Sequence, residues 1–106
     1  MPELPEVETT RLGISPYVVG RKIAEVIVRR HDLRQPVSPE LAGLEGAEFR
    51  AVSRRSKYLL LETDRGAAVL IHLGMSGSLR VIPAGEDWRK HDHIGLTLEG
   101  GLQLRY

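Results

Sequence analysis

The stretch IGLTLEGGLQLRY, residues 94–106, predicts the fold most directly. Apolar residues alternate with other residues from 94 to 98, and the same alternation resumes from 102 to 106. Alternation with a period of two is typical of a strand with one buried face. Because the turn sequence Glu99-Gly100-Gly101 separates the two runs, this stretch predicts a β-hairpin.

The rest of the chain predicts a long helix followed by several short strands. Apolar residues at helical spacing between Leu4 and Val18 predict the helix, which Gly20 would end, although Gly13 and Pro16 leave a bend or an early end open. A second, short helix capped by Ser38 is expected at 38–41. Further strands are expected at 24–29, 48–53, 58–62, 67–73 and 78–82. A helix followed by many short strands favours a mainly β fold, an antiparallel β-sandwich with flanking helices.

Composition is that of one globular domain, residues 1–106, with 42% hydrophobic and 27% charged residues. The absence of cysteine excludes disulfides and thiolate–zinc sites within the chain. No apolar run is long enough to predict a membrane span. The net charge is only +1, but four basic residues cluster at 50–57 without an acid between them. A mobile loop is expected at 83–90.

The start of the chain, MPELPEVETT, carries a candidate nucleophile. If Met1 is removed, Pro2 presents a terminal secondary amine; terminal amines have a pKa of about 7.7–8.0, against about 10.4 for lysine. Attack on a sugar aldehyde carbon would give a cationic iminium, and Glu3 is close enough in sequence to move protons. Two other interpretations stay open: Pro2 simply begins a helix, or it serves as the general base of a tautomerase.

Four stretches in order, MPELPEVETTRLGI, RRSKYLLLE, IHLGMSGSLR and KHDHIGLTL, resemble the formamidopyrimidine-DNA glycosylase family. The resemblance covers nearly all of the chain but only the family's N-terminal domain. It implies a bifunctional base-excision repair enzyme that removes oxidised purines such as 8-oxoguanine and then cuts the strand as an AP lyase. Leu4 within PELPE favours this branch over the endonuclease VIII type.

The resemblance implies roles for four residues in catalysis. Pro2 would be the nucleophile that displaces the base and forms a Schiff base with C1′, and Glu3 the acid/base that protonates the opening sugar. Glu6 would be a supporting carboxylate, although it is equally suited to a helix start. Lys57 would bind the phosphate beside the lesion and donate a proton in β-elimination; a solvated lysine is the simpler alternative.

Three further residues would bind DNA by the same resemblance. His72 would contact a phosphate, although a histidine between Ile71 and Leu73 is otherwise typical of a core. Met75 would fill the gap left by the extruded nucleotide, or else be core filler. His91 would contact the DNA backbone; its pairing with His93 is weak evidence for a metal, since further ligands are lacking.

The family's helix–two-turns–helix domain and four-cysteine zinc finger are absent from this sequence. We therefore expect no cofactor in this segment, a structural zinc only in the missing finger, and little or no activity of the chain alone. The expected partner is double-stranded DNA with an oxidised base or an abasic site, bound by a monomer in the bacterial cytoplasm at the nucleoid, with no membrane. The alternatives are a non-catalytic DNA-binding β-sandwich and a tautomerase-like enzyme.

Overall fold

The structure, a computed structural model, describes residues 4–29, 39–72, 79–89 and 92–106. Helix α1 (Leu4–Val18) is followed by β1 (Ile23–Val28) and a 3₁₀ helix (Pro39–Leu44). The remaining strands are β2 (Phe49–Arg55), β3 (Tyr58–Thr63), β4 (Ala68–His72), β5 (Arg80–Pro83), β6 (Ile94–Leu98) and β7 (Leu102–Arg105). The predicted elements are confirmed within a few residues at their ends. The short helix is of the 3₁₀ type, and its predicted cap, Ser38, lies outside the described residues.

The seven strands in the described part of the chain form two antiparallel sheets. One sheet has the order β1-β6-β7-β5, and the other has the order β2-β3-β4. A single apolar core draws on α1 and on both sheets, with Val7, Phe49, Leu59, Leu61 and Leu104 almost fully buried. The predicted β-sandwich with a long N-terminal helix is therefore confirmed.

Helix α1 continues to Val18, so the early end that Gly13 and Pro16 left open does not occur. Gly20 then adopts a φ of 88°, a left-handed conformation that glycine takes without steric cost. Its amide donates to the carbonyl of Phe49 at 2.8 Å, which directs the chain from the helix into the sheets. Within the described part of the chain, no helix combines the length and apolar character needed to cross a membrane.

The predicted hairpin is the pair β6–β7. Leu96 lies opposite Leu104, and both side chains are buried in the core. The connecting turn depends on glycine, because Gly100 and Gly101 have φ values of 103° and 93°. A Cβ atom on Gly100 would also crowd Nη1 of Arg21. The hairpin predicted from the alternation and from the glycine turn is therefore confirmed.

The opposite face of β7 is buried as well, under the segment that was expected to be a mobile loop. Arg105 is 0% exposed. Its Nη1 donates to the carbonyl of Asp87 at 2.8 Å, and its guanidinium lies 4.1 Å from the ring centroid of Trp88. The described residues 84–89 form a loop without helix or strand, as predicted for 83–90, and Arg105 contacts this loop. Its mobility stays a prediction.

Candidate functional site

Of the predicted site residues, Lys57 and His72 are fully described. Glu6 lies in the first turn of α1, where only its backbone is described. The other four lie outside the described residues: Pro2, Glu3, Met75 and His91.

Lys57 occupies the tight turn between β2 and β3. The last residue of β2, Arg55, pairs with Tyr58, so only Ser56 and Lys57 connect the two strands. Ser56 has a φ of 55°, which places its backbone in the left-handed region. The turn fixes the backbone of Lys57 at the end of the three-stranded sheet, with its side chain partly buried.

His72 lies at the same end of that sheet. It is the last residue of β4, and its register partner in β3 is Tyr58, the residue next to Lys57. The rings of Tyr58 and His72 are 4.9 Å apart at an interplanar angle of 40°. The hydroxyl of Tyr106 donates to the backbone carbonyl of His72. The structure thus brings together two predicted DNA-contact residues that are fifteen positions apart in sequence.

Helix α1 is joined to the strand that precedes this turn. The Nε of Arg54 lies 3.4 Å from Oε1 of Glu8, and its Nη1 donates to the carbonyl of Ser56 at 3.2 Å. Arg11 donates from Nε to the same Glu8 oxygen at 2.9 Å. The hydrogen bond from Arg11, with smaller contributions from Arg54, lowers the pKa of Glu8 to about 2. The first turns of α1, which follow Pro2 and Glu3 in the chain, are therefore held beside the Lys57 turn.

The basic cluster at 50–57 is only partly available to attract an anion. Arg54 is engaged by Glu8, and Nε of Arg50 lies 3.6 Å from a carboxylate oxygen of Glu48. Arg55 is exposed and Lys57 partly buried at the turn itself. Positive charge within the cluster is therefore concentrated where β2 meets β3.

A buried acid lies directly after the predicted contact residue His91. Asp92 is 6% exposed; its Oδ2 accepts from the amide of Arg89 at 2.8 Å, and its Oδ1 accepts from Arg80. Burial alone would raise the pKa of Asp92, but the Arg89 hydrogen bond and the charges of Arg80 and Arg105 outweigh it and lower that pKa. No group of three or more potential metal-binding side chains occurs among the described residues.

Sequence reasoning missed the residues that hold this site together. The ion pair of Glu8 and Arg11 has helical spacing and could have been found from it. The ring contact between Tyr58 and His72 depends on strand register, and the hydroxyl contact of Tyr106 depends on packing between the sheets. No local sequence pattern encodes either contact.

The fold is shared with solved DNA-glycosylase structures. Over 99% of its length the chain matches Lactococcus lactis formamidopyrimidine-DNA glycosylase, bound non-covalently to abasic-site DNA, with a TM-score of 0.90 and 32% identity. The match covers 40% of that protein. A complex of the Lactococcus lactis enzyme with FAPY-dG-containing DNA matches with a TM-score of 0.89 and 32% identity, over 98% of this chain and 39% of that one. The chain therefore has the fold of a DNA-glycosylase domain.

Sequence comparisons identify the family. All of the chain, residues 1–106, matches the formamidopyrimidine-DNA glycosylase N-terminal domain. The chain is 58% identical to a formamidopyrimidine-DNA glycosylase of Stenotrophomonas maltophilia, and 54% identical to that of Photobacterium profundum. All of this chain is matched in both cases, but only 39% of each relative. The chain belongs to the formamidopyrimidine-DNA glycosylase family, and it spans well under half the length of these relatives.

Proposed function

We propose that this chain is the catalytic domain of a base-excision DNA glycosylase with AP lyase activity that removes oxidised purines, 8-oxoguanine and formamidopyrimidines. The observation that carries the proposal is the arrangement of Lys57 and His72 at one end of the three-stranded sheet, to which the first turns of α1 are tied. The names of the relatives and the damaged DNA in the related complexes support the same activity.

The first chemical step belongs to Pro2 and Glu3. With Met1 removed, the Pro2 nitrogen bonds to C1′ of the damaged nucleotide while the glycosidic bond breaks, and the base leaves with that electron pair and takes up a proton. The nitrogen then loses its proton, and Glu3 supplies one to O4′ as the sugar ring opens. The product is an iminium between Pro2 and C1′, which keeps its positive charge without further protonation.

The second step cuts the strand. Water takes a proton from C2′, and the electron pair of that C–H bond moves toward the iminium to give an enamine. The C3′–O bond then breaks and its electron pair leaves with the phosphate, while a C2′=C3′ double bond forms and the iminium is restored. Lys57 binds the phosphate as a point charge and donates a proton during this elimination. Water finally hydrolyses the iminium and releases Pro2. Glu6 supports the site as a carboxylate near the start of α1.

The remaining predicted residues bind DNA. His72 and His91 contact the backbone, and Met75 fills the space left by the extruded nucleotide, which recovers part of the lost stacking energy. The partner is double-stranded DNA containing an oxidised base or an abasic site. We place the protein as a monomer in the bacterial cytoplasm, at the nucleoid and away from membranes.

A zinc ion does not fit the residues present. The chain contains no cysteine, and its described residues hold no cluster of three or more potential ligands. We place the family's structural zinc, together with its finger, in the part of the relatives that this chain does not match. We propose that the reaction of this domain uses no metal and no other cofactor.

Borohydride trapping on abasic-site DNA tests the proposal. The protein used is the full-length form, meaning this chain followed by the remaining part of the Stenotrophomonas maltophilia relative. We expect a covalent adduct that maps to Pro2 by mass spectrometry and is lost in Pro2→Gly. The 106-residue chain alone should give little or no adduct. An adduct in Pro2→Gly equal to that of the parent would contradict the proposed nucleophile.

A matched lysine pair tests the second step. Lys57→Gln should slow strand cutting by about 100-fold or more, the usual scale of a lost acid/base group, whereas Lys22→Gln, at an exposed position, should leave it unchanged.

DNA binding without any adduct in the full-length form would support the non-catalytic binding module instead. Neither binding nor adduct, with turnover of a small keto acid, would support the tautomerase.

A further inference from the structure

Among the described residues the two sheets share no strand, yet Tyr106 joins them at the end that carries the candidate site. On the side of the four-stranded sheet, its amide donates to the carbonyl of Ile94 at 2.9 Å. Its carbonyl accepts from the amides of His93 and Ile94 at 2.8 and 3.0 Å. On the side of the three-stranded sheet, its hydroxyl donates to the carbonyl of His72.

The hydroxyl contact acts where β4 ends. The carbonyl of His72 belongs to the residue whose ring contacts that of Tyr58 in a tilted arrangement, and Tyr58 directly follows Lys57. Movement of the His72 backbone would therefore shift its imidazole and disturb the contact with Tyr58. The aromatic ring of Tyr106 packs against the apolar core, so a partly buried side chain carries the hydroxyl.

We infer that Tyr106 is a positioning residue for the DNA-binding face, which acts by fixing His72 and does not itself touch DNA. The inference rests on the proposed function, since it assumes that His72 contacts the DNA backbone. Burial raises the pKa of the Tyr106 phenol, so the hydroxyl keeps its proton, and thus its donor, throughout the neutral range.

The phenylalanine variant removes one oxygen atom and keeps the ring in the core. In the full-length form, we expect Tyr106→Phe to weaken binding to a duplex with a tetrahydrofuran abasic-site analogue by about 3- to 10-fold, the range for one lost hydrogen bond. Tyr17→Phe is the matched control, because Tyr17 is 51% exposed on α1. It should leave the affinity unchanged.

A double-mutant cycle separates positioning from general stability. If Tyr106 acts through His72, then Tyr106→Phe should have less than about a 1.5-fold effect on affinity once His72→Ala has been introduced. A purely structural role would reduce affinity by the same factor in both backgrounds. Replacing Tyr106 with 4-aminophenylalanine, which restores a donor at the ring tip, should return affinity to within about twofold of the parent.

The outcomes distinguish this inference from the proposed function. No trapped adduct in the unsubstituted full-length form would overturn the proposed catalytic function, whereas no binding to DNA would overturn the premise that His72 contacts the DNA backbone. Normal trapping, together with a Tyr106→Phe effect that is absent or equal in both His72 backgrounds, would overturn the positioning role alone. If Tyr106→Phe lowers the melting temperature so far that binding cannot be measured, the 4-aminophenylalanine variant decides the question. Affinity within about twofold of the parent would support the inference, and weaker binding would overturn it.

Discussion

The two faces of strand β7 are both buried, but they are buried in different ways. Leu104 points into the apolar core shared by both sheets. Gln103 and Arg105, on the opposite face, are also buried, and the ring of Trp88 lies against the guanidinium of Arg105. The first face requires only apolar side chains of a shape that fills the core, whereas the second requires a hydrogen-bond partner for each polar group.

The polar face meets that requirement with partners from several elements. Arg105 donates from Nε to Gln103 at 2.6 Å, and Gln103 donates to Thr97 at 2.9 Å. The Nη1 of Arg105 lies 3.7 Å from Oδ2 of Asp92. A buried charge without partners is costly, so this face depends on every member being present. Two equally buried faces of one strand are therefore expected to differ in their tolerance of substitution.

Arg105→Ala should have the largest effect. It leaves Asp92 with one cation fewer and removes the anchor of the Trp88 segment, so the free energy of unfolding should fall by about 3–5 kcal/mol. Urea denaturation measures the change. Arg29→Ala is the control, because Arg29 lies 4.9 Å from the same ring but is exposed; about 0.5–1 kcal/mol is expected there. Equal effects of the two variants would refute a special role for the buried guanidinium.

Leu104→Ala should cost about 2–5 kcal/mol of unfolding free energy, because it leaves a cavity between the sheets. Leu104→Met should cost less than about 1.5 kcal/mol, since it preserves volume. Leu70→Ala, at a site 60% exposed, should change stability by no more than about 0.5 kcal/mol. Thermal melts of the three variants test whether this face tolerates a change of shape. A Leu104→Met loss as large as that of Leu104→Ala would contradict this view.

Gly95→Ala should be destabilising by about 1–3 kcal/mol, because a Cβ atom there would lie 2.7 Å from Trp88 and 3.0 Å from Gln103. Gly13→Ala is the matched substitution in α1, where nothing lies within 4 Å of the added Cβ. Helix propensity should make that change neutral or stabilising by up to about 1 kcal/mol. Calorimetry should show a lower melting temperature for Gly95→Ala and an unchanged or higher one for Gly13→Ala. An unchanged or higher melting temperature for Gly95→Ala would show that close packing under Trp88 is unimportant.

Acid titration should produce the smallest effect, at the solvent-exposed ion pair of α1. The pKa of Glu8 falls from 4.5 to about 2 in the folded state, so its contribution to stability is complete above pH 4.5 and is lost as the pH falls toward 2. Glu8→Gln should not show the loss of unfolding free energy that protonation of Glu8 causes between pH 4.5 and 2. Losses caused by other acidic groups should remain. Melting curves that change with pH identically for the parent and Glu8→Gln would contradict the assignment.

The secondary-structure elements and the family could be predicted before any contact was known. The signals for these elements are local: period-two alternation from 94 to 106, helical spacing from Leu4 to Val18, and glycines at the turns. Local patterns of this kind predict the local backbone conformation. Lys57 and His72 could be named as site residues from the motifs around them. Their roles, and those of Pro2, Glu3, Met75 and His91, remain predictions that the trapping and binding experiments test.

Which polar groups are buried, and which contacts hold the site, depends on the folded arrangement of the chain. Glu8 and Arg54 are 46 positions apart, and His72 and Tyr106 are 34 apart, so no local pattern could pair them. The sequence of β7 predicts one apolar and one polar face, and the polar face of such a strand is ordinarily exposed to solvent. Arg105 is buried instead because Asp92, Gln103 and two backbone carbonyls converge on it, and such convergence exists only once the chain has folded.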